Sequence, residues 1–159
     1  MNRRRLLQCL GTAGIAAIGG CLGSGPADDD TPTSTPTTDR PPVVDTVEFS
    51  VVGRTSGQQR DTATVSTDES TVTVTGTIWG RNGCRTARLS GATYDQGAGE
   101  LTVAVETADE TEETAVACTQ AIVEIEYRAV VSMSRGLPDT VVVTHDHGDG
   151  PQEVTRTGE

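Results

Sequence analysis

Lysine is missing from this sequence of 159 residues. All 12 basic side chains are arginine, against 23 acids, for a formal charge of −11. That balance excludes a nucleic-acid binder built on a cationic face, and also attachment to anionic lipid through basic residues. Aromatics number only four: Trp79, Phe49, Tyr94 and Tyr127. A domain with so few offers little material for a deep ligand pocket. No apolar run reaches the roughly 18–20 residues of a membrane-spanning helix, and no 3.6-residue period stands out after residue 42. The signatures GxSxG, HExxH, Walker A and a helix-opening GxGxxG are all absent. Both histidines, His145 and His147, crowd into one short segment, which leaves little for a dispersed Ser-His-Asp arrangement. The expectation is a protein that is not an enzyme and needs no cofactor.

The most specific signals lie at the start of the chain. Arg3, Arg4 and Arg5 precede Leu6-Leu7-Gln8 and a weakly apolar, Gly/Ala-rich stretch to Ile18. This is the charged and apolar layout of an export signal, too short for a span. The arginines followed by Leu6, Leu7 and Gln8 resemble a twin-arginine signal, which implies export of an already folded protein. Ile18-Gly19-Gly20-Cys21 resembles the lipobox of bacterial and archaeal lipoproteins. That resemblance implies cleavage before Cys21 and a lipid on its sulfur, with Cys9 lost in the signal. Buried methylenes contribute about 0.8 kcal/mol each, so two long chains hold a protein stably on a bilayer. Residues 1–20 are therefore read as signal peptide. Residues 21–42, dominated by Pro, Thr and Asp, read as the lipidated cysteine and an extended stalk without a core of its own.

From residue 43 the texture becomes that of a β-domain. Threonine (26) and valine (18) lead the composition, and both favour strands. Alternating runs predict strands near 44–52, 61–66, 70–79, 85–94, 100–107, 119–134 and 139–145, separated by Gly-, Asn-, Asp- and Pro-rich turns. Val72, Val74 and Ile78 form one inward row, Leu101, Val103 and Val105 a second. Ala121, Val123, Ile125, Tyr127, Ala129, Val131 and Met133 form a third. Seven short strands in this length imply an all-β, two-sheet antiparallel sandwich of immunoglobulin-like size over 43–159. A small closed barrel is the alternative. Trp79 precedes both remaining cysteines, unlike the antibody pattern.

Cys84 and Cys118 read as a disulfide, the default in an exported chain. The rival is a thiol or metal pair, though no CxxC occurs. After removal of the signal, nine arginines face 23 acids, a net −14. The missing lysine, acid excess and small aliphatic core are similar to proteins of halophilic archaea. With the signal, the chain resembles a twin-arginine-exported lipoprotein of such an organism. The densest acid run, Asp109-Glu110-Thr111-Glu112-Glu113, lacks the spacing of a calcium loop and reads as a solvated loop.

Two constellations are left as candidate sites. His145 and His147 at i, i+2 can grip zinc or copper, with Asp149 or Glu153 as third ligand; the plainer reading is a polar strand end entering a turn. Arg81, Arg85 and Arg88 around Cys84 are able to receive a carboxylate, phosphate or sugar acid from a partner, or else pair with the chain's own acids. The expected function is a membrane-anchored cell-surface lipoprotein. Its sandwich would be a binding or structural module for a surface protein or glycan, with no nucleic-acid partner. The alternative is metal or small-solute capture through His145/His147, and a third is a hydrolase of unrecognised type. A net −14 repels itself unless screened, and the Debye length falls from about 30 Å at 0.01 M salt to about 3 Å at 1 M. The melting temperature is therefore expected to fall as salt is reduced from 3 M to 0.1 M; a salt-independent thermal scan would refute it.

Overall fold

The computed structural model describes residues 40–110 and 117–158. The expected signal, Cys21 and nearly all of the expected stalk lie outside them, as do Glu112 and Glu113 of the acid run. Eight strands follow in order: β1 (Val43–Ser56), β2 (Thr62–Asp68), β3 (Thr71–Gly80), β4 (Arg85–Asp95), β5 (Glu100–Asp109), β6 (Val123–Ser134), β7 (Thr140–Asp146) and β8 (Gln152–Thr157). They form two separate four-stranded sheets, ordered β1-β6-β3-β2 and β4-β5-β7-β8. The protein is a β-sandwich, not a closed barrel.

Alternation builds the core as the sequence implies. Val72, Val74 and Ile78 of β3 meet Leu101, Val103 and Val105 of β5, Val141 and Val143 of β7, and the row Val123 to Met133 of β6, all buried. The β3 threonines take the opposite face, where β-branched side chains suit the pleat without needing a core. These aliphatic residues are small, so close packing comes from many short contacts.

Three expectations need correction. Ala121 is exposed, because β6 begins only at Val123 and residues 119–122 approach it as coil. One pair, β5 with β7, is parallel, with Leu101 opposite Val141 and Val103 opposite Val143. The chain leaves β5, crosses to the other sheet for β6 and returns, so β5 and β7 enter their sheet in the same direction. Finally, β8 is an additional strand. Its sequence Gln-Glu-Val-Thr-Arg-Thr has one apolar residue and gives no amphipathic signal. It is held by pairing with β7 and by the Thr155 hydroxyl donating to the Ala63 carbonyl of the other sheet at 2.7 Å.

The register gives the sandwich two chemically different ends. At one, Val43 lies opposite Ser134 and Thr71 opposite Ser132, so this is where the chain enters from residue 42. At the other, Ser56 and Gly80 both face Val123, and Arg85 faces Asp109. The ten residues of β3 separate the ends by roughly 30 Å at about 3.3 Å per residue. The far end carries the Cys84–Cys118 disulfide, with Cα atoms 5.3 Å apart. It ties the β3–β4 turn to the approach of β6, and the backbone N–H of Gly83 reinforces it by donating to the Thr119 carbonyl at 3.0 Å. A bridge spanning 34 residues stabilises by roughly 4 kcal/mol on the chain-entropy account. Replacing both cysteines by serine should cost about that much in a denaturant titration; a loss under about 1 kcal/mol would mean the bridge is dispensable.

Candidate functional site

The same far end gathers the polar groups, from three strands and two connections. Period-2 alternation on β7 puts His145 in the inward row with Val141 and Val143, and it is fully buried. On β6 the same rule turns Tyr127 inward. Its hydroxyl lies 2.8 Å from His145 Nε2, with the two rings edge-on at 5.6 Å. Gly76, opposite Tyr127 on β3, makes room for this. A Cβ there would stand 2.5 Å from both the Tyr127 hydroxyl oxygen and the Thr62 carbonyl oxygen. The missing side chain lets the start of β2 close over the phenol and brings the residue before it, Asp61, to the cluster.

Asp61 is the hub. Its Oδ1 is 2.7 Å from His145 Nδ1, both carboxylate oxygens are 3.1 Å from His147 Nε2, and Trp79 Nε1 donates to Oδ2 at 3.0 Å. His147 is clamped from behind. Its Nδ1 is 3.0 Å from the Trp79 carbonyl oxygen, and its ring stacks on the indole at 4.5 Å. The turn bearing it is shaped by Asp146, whose Oδ1 accepts the backbone N–H of Gly148 and of Gly150 at 2.6 and 3.1 Å. Both glycines have φ near +101°, a conformation open to glycine and disfavoured for other residues.

Donor and acceptor chemistry fixes the protons. His145 Nδ1 faces a carboxylate and so donates, leaving Nε2 to accept from the Tyr127 hydroxyl; His145 is the neutral Nδ1–H tautomer. Burial holds its pKa below the ordinary 6.5 and His147 adds to that, while Asp61 opposes it. Burial, helped by Asp61, pushes the Tyr127 phenol well above its ordinary 10.0. His147 presents Nε2 to the Asp61 carboxylate and Nδ1 to the Trp79 carbonyl oxygen. Asp61 then accepts three N–H bonds, a charge-assisted set that suits an ionised carboxylate.

The residues singled out in the sequence are distributed differently. His145 and His147 do come together, through Asp61 and not through Asp149, which turns away to Arg81 at 3.1 Å. Glu153 pairs with Arg156 at 3.0 Å. Among the described residues no group of three or more His, Cys, Asp or Glu side chains is arranged to hold a metal ion. The three arginines do not make one patch. Arg85 leans inward beside Ala87 with Asp109 at 3.3 Å, Arg88 points outward to Glu106 at 2.9 Å, and Arg81 caps the His147 carbonyl at 3.3 Å. Each has a carboxylate of its own chain, so none presents an unpaired cation. Sequence reasoning missed Asp61, Trp79 and Tyr127 as members of the cluster. The inward row holding Tyr127 and the glycine breaking the Val72-Val74-Ile78 row were visible, but their register against each other was not. Comparison with protein-family models, curated proteins and solved structures finds no match, so the site stands on its own geometry.

These shifts set a pH window. Between the lowered His145 value and 6.5 the unfolded chain binds a proton that the folded one refuses, so stability falls as pH drops below about 6.5. Above about 10 the unfolded chain releases the Tyr127 proton that the folded one retains, so stability falls again. Tyr127→Phe should lose about 1–3 kcal/mol at pH 8, because His145 Nε2 is left unpaired, and should flatten the alkaline limb. An alkaline limb of unchanged slope in that variant, read by thermal melts, would refute the assignment.

Proposed function

We propose that this chain is an exported, lipid-anchored protein of the outer face of the cell membrane. Its β-sandwich serves as a non-catalytic binding or structural module. The observation that carries the reading is the polarity of the domain. The chain enters at Val43, and the Asp61–Trp79–His145–His147 cluster lies at the opposite end of the strands. A lipid on Cys21 and a stalk over residues 21–42 would then hold this end away from the bilayer. A flexible coil of about 20 residues reaches roughly 25 Å, and its prolines would stretch it further.

The disulfide suits an oxidising exterior, and the acid excess suits a salty one. A binding role is favoured over catalysis by how the cluster uses its groups. Both nitrogens of His145 are engaged, and the Tyr127 hydroxyl it contacts is buried, so within this cluster no hydroxyl faces solvent beside a free imidazole. Partner classes that fit are a surface protein or a glycan, with membrane contact made through the lipid.

Cys21→Ser tests the anchor. The variant is expected in the medium, or retained as an uncleaved precursor, while the parent stays with membranes and begins at a lipid-modified Cys21 by mass spectrometry. Firm membrane association of a cleaved Cys21→Ser protein would overturn the anchor. Crosslinking on intact cells in high-salt medium tests the module: one reproducible surface partner supports it, and an empty result counts against it.

A further inference from the structure

The Asp61 carboxylate is surrounded as a bound ligand would be. Three N–H groups converge on it, from Trp79, His145 and His147, at 2.7–3.1 Å. Each donor is held by something other than Asp61. The indole projects from β3 and stacks on His147. The His145 ring is fixed by Tyr127 and by complete burial. His147 is fixed by the Trp79 carbonyl, and Arg81 holds its own carbonyl. The donors thus form a preorganised cage on two strands and a tight turn. The carboxylate comes from the β1–β2 connection, and its side chain is 32% exposed, so it sits at the mouth of the cage and not beneath it.

We propose that the Trp79–His145–His147 cage is a carboxylate-binding site, and that Asp61 occupies it in the free protein. Taken with the preceding reading, the ligand of the module is an acidic group that replaces Asp61. The charged groups at the mouth fit this. Arg81, whose side chain is 53% exposed, stands beside the cage and, among the described residues, is engaged by the His147 carbonyl and by Asp149, itself 84% exposed. An incoming acid can draw on that guanidinium by exchanging with Asp149. Asp146 faces away, held by the Gly148 and Gly150 amides. High salt screens the approach of an anion to so acidic a protein. A carboxylate on the same chain acts at an effective concentration of millimolar or more, so a simple anion does not displace Asp61. Only a ligand with further contacts competes.

Removing the resident carboxylate exposes the cage. The side chain removed in Asp61→Gly has the heavy atoms of acetate, so acetate should enter where Asp61 was. Trp79 is the only tryptophan, so its fluorescence reports on the cage directly. At pH 7.5 in 3 M KCl, the Asp61→Gly protein is expected to bind acetate saturably, with a midpoint on the order of 10 mM. Its melting temperature should rise in parallel. Adding His147→Ala should weaken that binding about tenfold or more. The parent protein, its cage filled, should not respond.

An Asp61→Gly protein that unfolds without acetate and refolds with it, but not with added chloride, supports the proposal equally. It is overturned by no saturable response, by an equal response in the double variant, or by an Asp61→Gly chain that no acetate concentration folds. A positive acetate titration beside an empty cell-surface crosslink would leave the cage standing and remove the module reading, so the two fail separately.

Discussion

One carboxylate closes the far end of this sandwich. Asp61 precedes β2 in one sheet, and it is bonded to an indole on β3 of that sheet and to imidazoles on and beyond β7 of the other. Tyr127 extends the chain of bonds into the core. The Asp61 side chain is 32% exposed, so water meets part of its carboxylate, and the lone pairs turned into the fold need partners there. Here three N–H groups meet them. Satisfied in full, such a network fixes one arrangement of the loops; partly satisfied, it would be a weak point.

Other features of the molecule follow from having to build that end. Gly76 gives up a side chain in an otherwise continuous apolar row so that Tyr127 and the start of β2 fit together. The β7–β8 turn uses two glycines at positive φ and the Asp146 carboxylate to fold His147 back onto Trp79. The disulfide ties the adjacent β3–β4 turn to the approach of β6. The opposite end, where the chain enters, has its own Asp95 turn and the positive-φ Gly99, but among the described residues it carries neither the disulfide nor a histidine. A small aliphatic core supplies the apolar burial, while covalent and charge-assisted links concentrate where the loops need position.

The acid excess acts on a different scale. Among the described residues most acids lie on outward faces, and several pair with the few arginines: Glu110 with Arg54, Asp109 with Arg85, Glu106 with Arg88, Glu100 with Arg156. Exposed pairs of this kind contribute little individually, and they leave the net charge strongly negative. Salt therefore governs the long-range repulsion, whereas the Asp61 cluster, short-range and shielded by the fold, is governed by proton and hydrogen-bond chemistry. The arginines near Cys84 show the distinction. They look like a cationic spot in one dimension, but strand alternation sends Arg85 and Arg88 to opposite faces and each meets its own acid.

What the sequence determined alone is what depends on local rules. Alternating Val and Thr set the strands and their inward rows. Gly, Asn, Asp and Pro marked the turns, and two cysteines in a chain bearing an export-like start pointed to a disulfide. The number of basic and acidic residues set the electrostatic character. Tertiary structure decided whatever depends on register between distant strands. It made β5 and β7 parallel neighbours and recruited the polar β8 by backbone pairing. It placed Asp61 against histidines 84 and 86 residues away and sent Asp149 to Arg81 instead. The physical reason is that alternation says which face a side chain takes but not which strand lies opposite it. A site assembled across two sheets exists only once that pairing is made.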